Sequence, residues 1–217
     1  MHDSDTVLPT PGTNPGDNGR HRLMVAAAAE FCEHGFAGAS IAAIAARADV
    51  GKSTVFHHFE SKQALYMSVI GEAASEFGQK MDNVLSLDRD LSSCLHAFQI
   101  QHMEHLHNNS QVARLILREL QEGDSERVVS LVRDVLAANF SRLVKYLEKA
   151  SKAGLIRKDV DCAATAMTLL SANVMYFQNR TMLAHLPGFE LANDPESYAS
   201  AVTRLIINGL EPKDPDQ

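Results

Sequence analysis

Apolar residues recur at intervals of three and four along almost the whole chain, and no stretch alternates apolar and polar positions with strand-forming residues. The pattern predicts an all-α protein. A first helix runs from about Arg20 to His34 with Leu23, Ala27 and Phe31 on one face; Gly35 ends it in a left-handed cap and Phe36 returns to the core. Ser40 suits the N-cap of a short helix, Ile41 to about Arg47. Ala48-Asp49-Val50-Gly51 then turns the chain into a second short helix, Lys52 to Phe59, and Ser61 caps a longer helix reaching about Gly78. Five further long helices follow, at about Asp88 to His107, Gln111 to Glu122, Ser125 to Ala153, Cys162 to His185 and Pro195 to Leu210. Turn residues separate them at Asn108-Asn109, Gly123-Asp124, Gly154 and Pro187-Gly188.

Outside these helices, residues 1–19 hold three prolines and three glycines with few apolar groups, so ordering them would gain little against the entropy lost. A disordered N-terminal arm is expected there, and a flexible tail at 212–217. The Met1-His2-Asp3-Ser4-Asp5 start has no basic region followed by an apolar stretch, so no signal peptide is expected and the chain is placed in the cytoplasm. The longest nearly apolar run, Cys162 to Phe177, is shorter than the ~20 residues a bilayer requires, and no membrane association is expected. Cys32, Cys94 and Cys162 are odd in number and far apart, and read as reduced structural residues.

The formal net charge of -7 looks adverse for a partner as acidic as DNA, but the charge is unevenly distributed. Between Arg20 and Lys80 basic and acidic residues balance, and the excess acid lies elsewhere. An acidic body then confines binding of a polyanion to one face.

Two short helices joined by a tight turn can expose the second to a DNA groove only if the first packs closely behind it. Ile41, Ile44 and Ala45 supply a partly small apolar face, Val50 plugs the turn, and Val55 answers from the second helix. This reads as a helix-turn-helix. The segment SIAAIAARADVGKSTVFHHFESKQAL, Ser40 to Leu65, resembles the DNA-binding domain of the tetracycline-repressor (TetR/AcrR) family of bacterial transcription regulators, and the resemblance extends over about Arg20 to Phe77. Two positions depart from that family's pattern. Asp49 stands where a glycine is usual, at a turn position expected to need a left-handed backbone that Asp tolerates, and Gly51 stands where serine is common.

The resemblance implies an N-terminal three-helix DNA-binding domain, residues 20–80, followed by a larger helical effector-binding and dimerisation domain, residues 81–211. Lys52, Ser53 and Thr54 lie at the amino end of the recognition helix, where the backbone already favours phosphate. Phe56 and His57 are candidates for groove edges and sugar-phosphate, with His58 beside them. Lys62 is expected to meet a phosphate, and Ser40 and Arg22 complete the candidate DNA contacts; Phe59 reads as core.

One such motif reads few base pairs, so a homodimer on a palindromic double-stranded operator is expected. The candidate interface is Leu169, Leu170, Tyr176 and Phe177 on one late helix, with Tyr198, Val202, Leu205 and Ile206 on the next. Phe98, Met103, Leu106, Leu115, Tyr146 and Met167 offer a soft lining for a largely apolar small-molecule effector, with Arg118, Asn173 and Gln178 to orient it; plain core packing explains most of these equally well. His102 and His105 share a helical face beside Glu104, between His96 and His107, with no third ligand at fixed spacing. They read as a solvated or pH-sensitive face, and neither metal nor cofactor is expected.

The expected function is a transcription regulator, a repressor released by its effector. An effector-independent DNA-binding structural or cell-division factor is the alternative, and a ligand-processing helical enzyme is a further one. The sequence has no GxSxG elbow, glycine-rich phosphate loop or HExxH, so no enzyme is expected.

Overall fold

The computed structural model describes residues 15–86 and 88–210, with side chains from residue 19 onward. The expected arm falls mostly, and the expected tail wholly, outside the described residues. Among these the backbone is helical with no strand: α1 (Pro15–Gly38), α2 (Ile41–Arg47), α3 (Lys52–His58), α4 (Lys62–Val84), α5 (Leu91–Asn108), α6 (Ser110–Glu122), α7 (Ser125–Leu131), α8 (Ala137–Lys152), α9 (Cys162–Leu183) and α10 (Pro195–Leu210).

Three boundaries depart from the sequence pattern. Helix α1 begins at Pro15, within the expected arm, because proline's fixed φ and missing N–H suit the first helical position. It continues to Gly38 but is broken at Gly35, where φ 69° and ψ 176° lie outside the helical region. The expected single helix from Ser125 to Ala153 is interrupted by a wider π turn at Val132–Leu136, which divides it into α7 and α8.

The chain forms two compact units that do not follow each other in sequence. Among the described residues, the first takes those from 15 to 73 together with 108–131, and the second those from 74 to 107 and from 132 to 210. In the first, Leu23, Ala27 and Phe31 of α1 are fully buried together with Ile44, Val55, Leu65 and Ile70. Helix α6 packs on α1. Phe31 and Phe36 both meet Tyr66 edge-on, with centroids 5.0 and 5.1 Å away. A buried charge is fully engaged there: Glu119 accepts from the Tyr66 hydroxyl at 3.0 Å and from Arg127 Nε at 2.8 Å.

The second unit gathers Phe77, Met81, Leu95, Phe98, Leu143, Tyr146, Leu147, Ala166 and Leu169 into one core. A smaller cluster joins Tyr176, Leu183 and Ala192, with Met103, Phe189 and Tyr198 against it. Asp161 caps α9 by accepting from the backbone N–H of Ala163 and Ala164, both at 2.9 Å. Among the described residues no helix is long and apolar enough to cross a membrane.

Candidate nucleic-acid interface

The α2–α3 pair is built from its caps. Ser40 Oγ accepts from the Ala43 N–H at 3.1 Å and opens α2, and Ser61 Oγ accepts from the Ala64 N–H at 3.0 Å and opens α4. Between α2 and α3 the chain reverses through Asp49, the one non-glycine residue with positive φ among those described, at 54°. The Val50 N–H donates to the Ala45 carbonyl at 3.0 Å and the Asp49 N–H to Ala46 at 3.2 Å, satisfying carbonyls that the end of α2 would leave unpaired. The departure at Asp49 thus sits on the left-handed turn residue that the sequence demanded.

Val55 is fully buried, and Phe59, just past the end of α3, is 4% exposed, so both fasten the helix to the core. The opposite face is open. Lys52, Ser53 and His57 are exposed, Thr54 and His58 half-exposed, and Phe56 is 54% exposed. Ser40 and Arg22 are exposed as well. Lysine, hydroxyls and the N-terminal amides at one end, with an aromatic ring and imidazoles following, can grip phosphate and reach base edges.

Lys62 is engaged within the protein. Its ammonium donates to the carbonyls of Phe36 at 2.8 Å and Ala39 at 3.1 Å, and it lies 4.6 Å from the Phe36 ring centroid. Held by the carbonyls after the break in α1, it ties the start of α4 to α1. Arg47 is also engaged, making a two-pronged pair with Glu33 at 2.8 Å on each arm. That guanidinium holds the Glu33 carboxyl below the usual carboxylate range, chiefly through the hydrogen bond.

The nine candidate effector residues are divided between the two units. Phe98, Leu106, Tyr146 and Asn173 are buried in the second unit, and Met103 packs on its smaller cluster. Leu115 and Arg118 belong to the first unit, where the Arg118 guanidinium lies close against Gly35 and pairs with Glu122 at 3.1 Å. Met167 (58% exposed) and Gln178 lie on the outer surface of α9. Helical period alone could not separate the inward from the outward turn of so apolar a helix.

The same ambiguity affects the candidate dimer residues. Leu169 is fully buried in the protomer's own core, and Leu170 and Ile206 pack against that core. Tyr176 is buried too: its hydroxyl donates to the Ala192 carbonyl at 2.8 Å, and its ring stacks on Tyr198 at 4.4 Å. The Tyr198 hydroxyl in turn donates to the Ala172 carbonyl at 2.9 Å. Phe177 and Val202 are half-buried, and Leu205 is 75% exposed. The outward apolar residues of α9 are Met167, Met175 and Met182, which the sequence pattern did not single out for an interface.

His107 is exposed, but the His102 and His105 pair is not a solvated face. His102 and His105 are buried, and the Phe77 ring lies 4.9 Å from each imidazole centroid. Burial pushes their pKa values down, to about 3 for His102 and about 4 for His105, so both are neutral at pH 7. His96 hydrogen-bonds with Ser200 Oγ at 3.0 Å.

An exposed helix of this polarity, set on a capped helix and a left-handed turn, defines a helix-turn-helix DNA-binding protein. The model of the bacterial regulatory proteins of the tetR family matches residues 23–69, and that of the tetracyclin repressor-like C-terminal domain matches residues 93–206, more than half of the chain. The chain belongs to the TetR family of transcription regulators. It is 24% identical over 204 residues to the transcriptional repressor NicS of Pseudomonas putida, covering 89% of this chain and 93% of that protein. It is 30% identical over 102 residues, 47% of each chain, to the transcriptional activator FasR of Mycolicibacterium smegmatis. Its fold is similar to that of FadR from Bacillus subtilis, solved in complex with stearoyl-CoA, with a TM-score of 0.73 at 17% identity, covering 87% of this chain and 98% of that one.

Proposed function

We propose that the chain acts in the cytoplasm as a homodimeric repressor that leaves a palindromic operator when a small-molecule effector binds. The observation that carries this reading is the exposed face of α3: Lys52, Ser53, Phe56 and His57 point outward while Val55 and Phe59 anchor the helix. The likeness to NicS along almost the whole chain supports repression over activation, since the likeness to the activator FasR covers about half. The stearoyl-CoA seated in the similarly folded FadR supports an effector with a large apolar part.

The outward apolar side chains of α9, Met167, Met175 and Met182, with Leu205 of α10, supply the surface a two-fold interface needs, because this much exposed apolar area is unfavourable in a lone protomer. Helix α4 begins three residues after the end of α3 and reaches Val84, so a displacement of α4 alters the spacing of two recognition helices across a dimer. An effector achieves this only through a difference in its affinity for the DNA-competent and DNA-incompetent states.

The test is a gel-shift titration of full-length protein on DNA selected from a random pool, with the selected site sequenced and the protein's mass measured in solution. A palindromic site bound by a dimer is the expected outcome. A monomer on an asymmetric site would overturn the reading, and so would a dimer whose retention on DNA no metabolite extract of the host alters.

A further inference from the structure

The second compact unit buries a polar cluster that its packing does not need. Gln99 of α5 and Asn173 of α9 have no solvent exposure, and His102 adjoins them. Asn173 Nδ2 donates to Gln99 Oε1 at 2.6 Å, and lies 3.1 Å from the Gln99 backbone carbonyl and 3.2 Å from His102 Nδ1. A backbone carbonyl can only accept, so Asn173 must turn its nitrogen toward it, and Gln99 must then turn its oxygen toward Asn173. Neither amide can be reversed.

This arrangement leaves Gln99 Nε2, a donor, and Asn173 Oδ1, an acceptor, buried with no partner among the described residues. The two amides are already bonded to each other, so amide geometry keeps the unpaired atoms within about 7 Å, a span one small group can bridge. A buried donor and acceptor left unpaired weaken a core that two leucines would fill better. The groups around His102 are apolar or neutral. Phe98 and Phe77 lie 5.8 and 4.9 Å from the His102 ring, both buried imidazoles are neutral, and Glu76 and Lys80, the charged groups acting on His105, pair with each other at 2.8 Å. A charged head group beside His102 would meet aromatic rings and neutral imidazoles in place of a counter-charge.

We propose that Gln99 and Asn173 are the head-group site for the effector, and that the effector carries an uncharged group with an acceptor and a donor side by side, a carboxamide, on an apolar body. Gln99 Nε2 donates to its carbonyl oxygen, and its N–H donates to Asn173 Oδ1. The assignment rests on the reading that the second unit takes an effector, and names the chemistry it recognises.

The experiment is thermal unfolding of the full-length protein with octanamide, methyl octanoate or octanoate at equal millimolar concentration. Octanamide is expected to raise Tm by about 3 °C, the ester by less and the carboxylate not at all. Gln99→Met, which keeps the chain length, should weaken octanamide binding at least tenfold while leaving DNA binding intact. The double variant Gln99→Met/Asn173→Leu should melt at or above the wild-type temperature without any probe, because it buries no unpaired amide atom. Equal stabilisation by ester or carboxylate would overturn the carboxamide assignment while leaving an apolar-effector reading standing. A full octanamide response in Gln99→Met, or a double variant melting well below wild type, would show that the pair only supports the fold. If none of the three probes moves Tm, the head-group proposal falls, and effector release is judged by the gel-shift titration alone.

Discussion

Each compact unit buries a polar cluster, and the two clusters differ in how fully they are paired. In the first, the carboxylate of Glu119 is held from two sides, by Tyr66 and Arg127, and Arg127 also lies 4.4 Å from the Phe36 ring centroid and pairs with Asp124. In the second, Gln99 and Asn173 hold each other and leave one donor and one acceptor unpaired among the described residues. A buried charge with its partners in place fixes one arrangement of α1, α4, α6 and α7, which suits a unit that must present α3 in a set orientation. Unpaired amides leave recognition capacity in reserve, which suits the effector site proposed for that unit.

The comparison can be broken at either end. The largest effect is expected where the first unit is most tightly packed: Phe31→Ala removes a fully buried ring and should lower the unfolding free energy by about 3–5 kcal/mol in a urea titration. Arg127→Ala leaves Glu119 buried without its ion pair, and should cost about 2–3 kcal/mol by the same measurement, Arg127 being partly exposed. If Arg127→Ala proved harmless while Gln99→Met/Asn173→Leu were severely destabilising, the contrast between the units would be reversed.

The neutral imidazoles of the second unit make a pH prediction. Their folded pKa values, about 3 and about 4, lie below the ordinary value of 6.5, so below pH 6.5 the unfolded chain binds protons that the folded one refuses. Stability is therefore full above pH 6.5 and declines as pH falls toward 4, by up to about 1.4 kcal/mol per pH unit for each histidine. Urea midpoints between pH 7 and 5 measure the slope, and His102→Gln/His105→Gln should flatten it.

Smaller effects belong to the DNA-binding face. Asp49→Val forces a β-branched residue into the left-handed turn and should cost about 1–2 kcal/mol, whereas Asp49→Gly should cost nothing, as thermal melts would show. Lys52→Ala should change stability by less than about 0.5 kcal/mol and reduce the slope of log affinity against log salt by about one, as loss of one phosphate contact requires. An unchanged salt slope would place Lys52 away from the phosphates.

The all-α class, the helix-turn-helix and its left-handed turn were legible because they depend on local chemistry. Helical period, the Ser40 and Ser61 caps, and the need for φ above zero at Asp49 act within a few residues of chain. Most of the α3 face was legible for the same reason: in a seven-residue helix with Val55 on one side, the polar residues have only one way to face. The tie of Lys62 to α1 was not, because the carbonyls that hold it belong to residues more than twenty positions earlier.

The later helices show where such reading ends. On α9 apolar residues occur all round, so the sequence alone could not decide that Leu169 and Tyr176 turn inward while Met167, Met175 and Met182 turn out. It could not show that His102 is buried against Phe77, nor that Gln99 meets Asn173 across more than seventy residues of chain. Period and capping are properties of neighbouring residues and were determined by the sequence itself; which side of an apolar helix is inside, and which polar groups find partners, depend on what packs against it, and only the tertiary structure decided them.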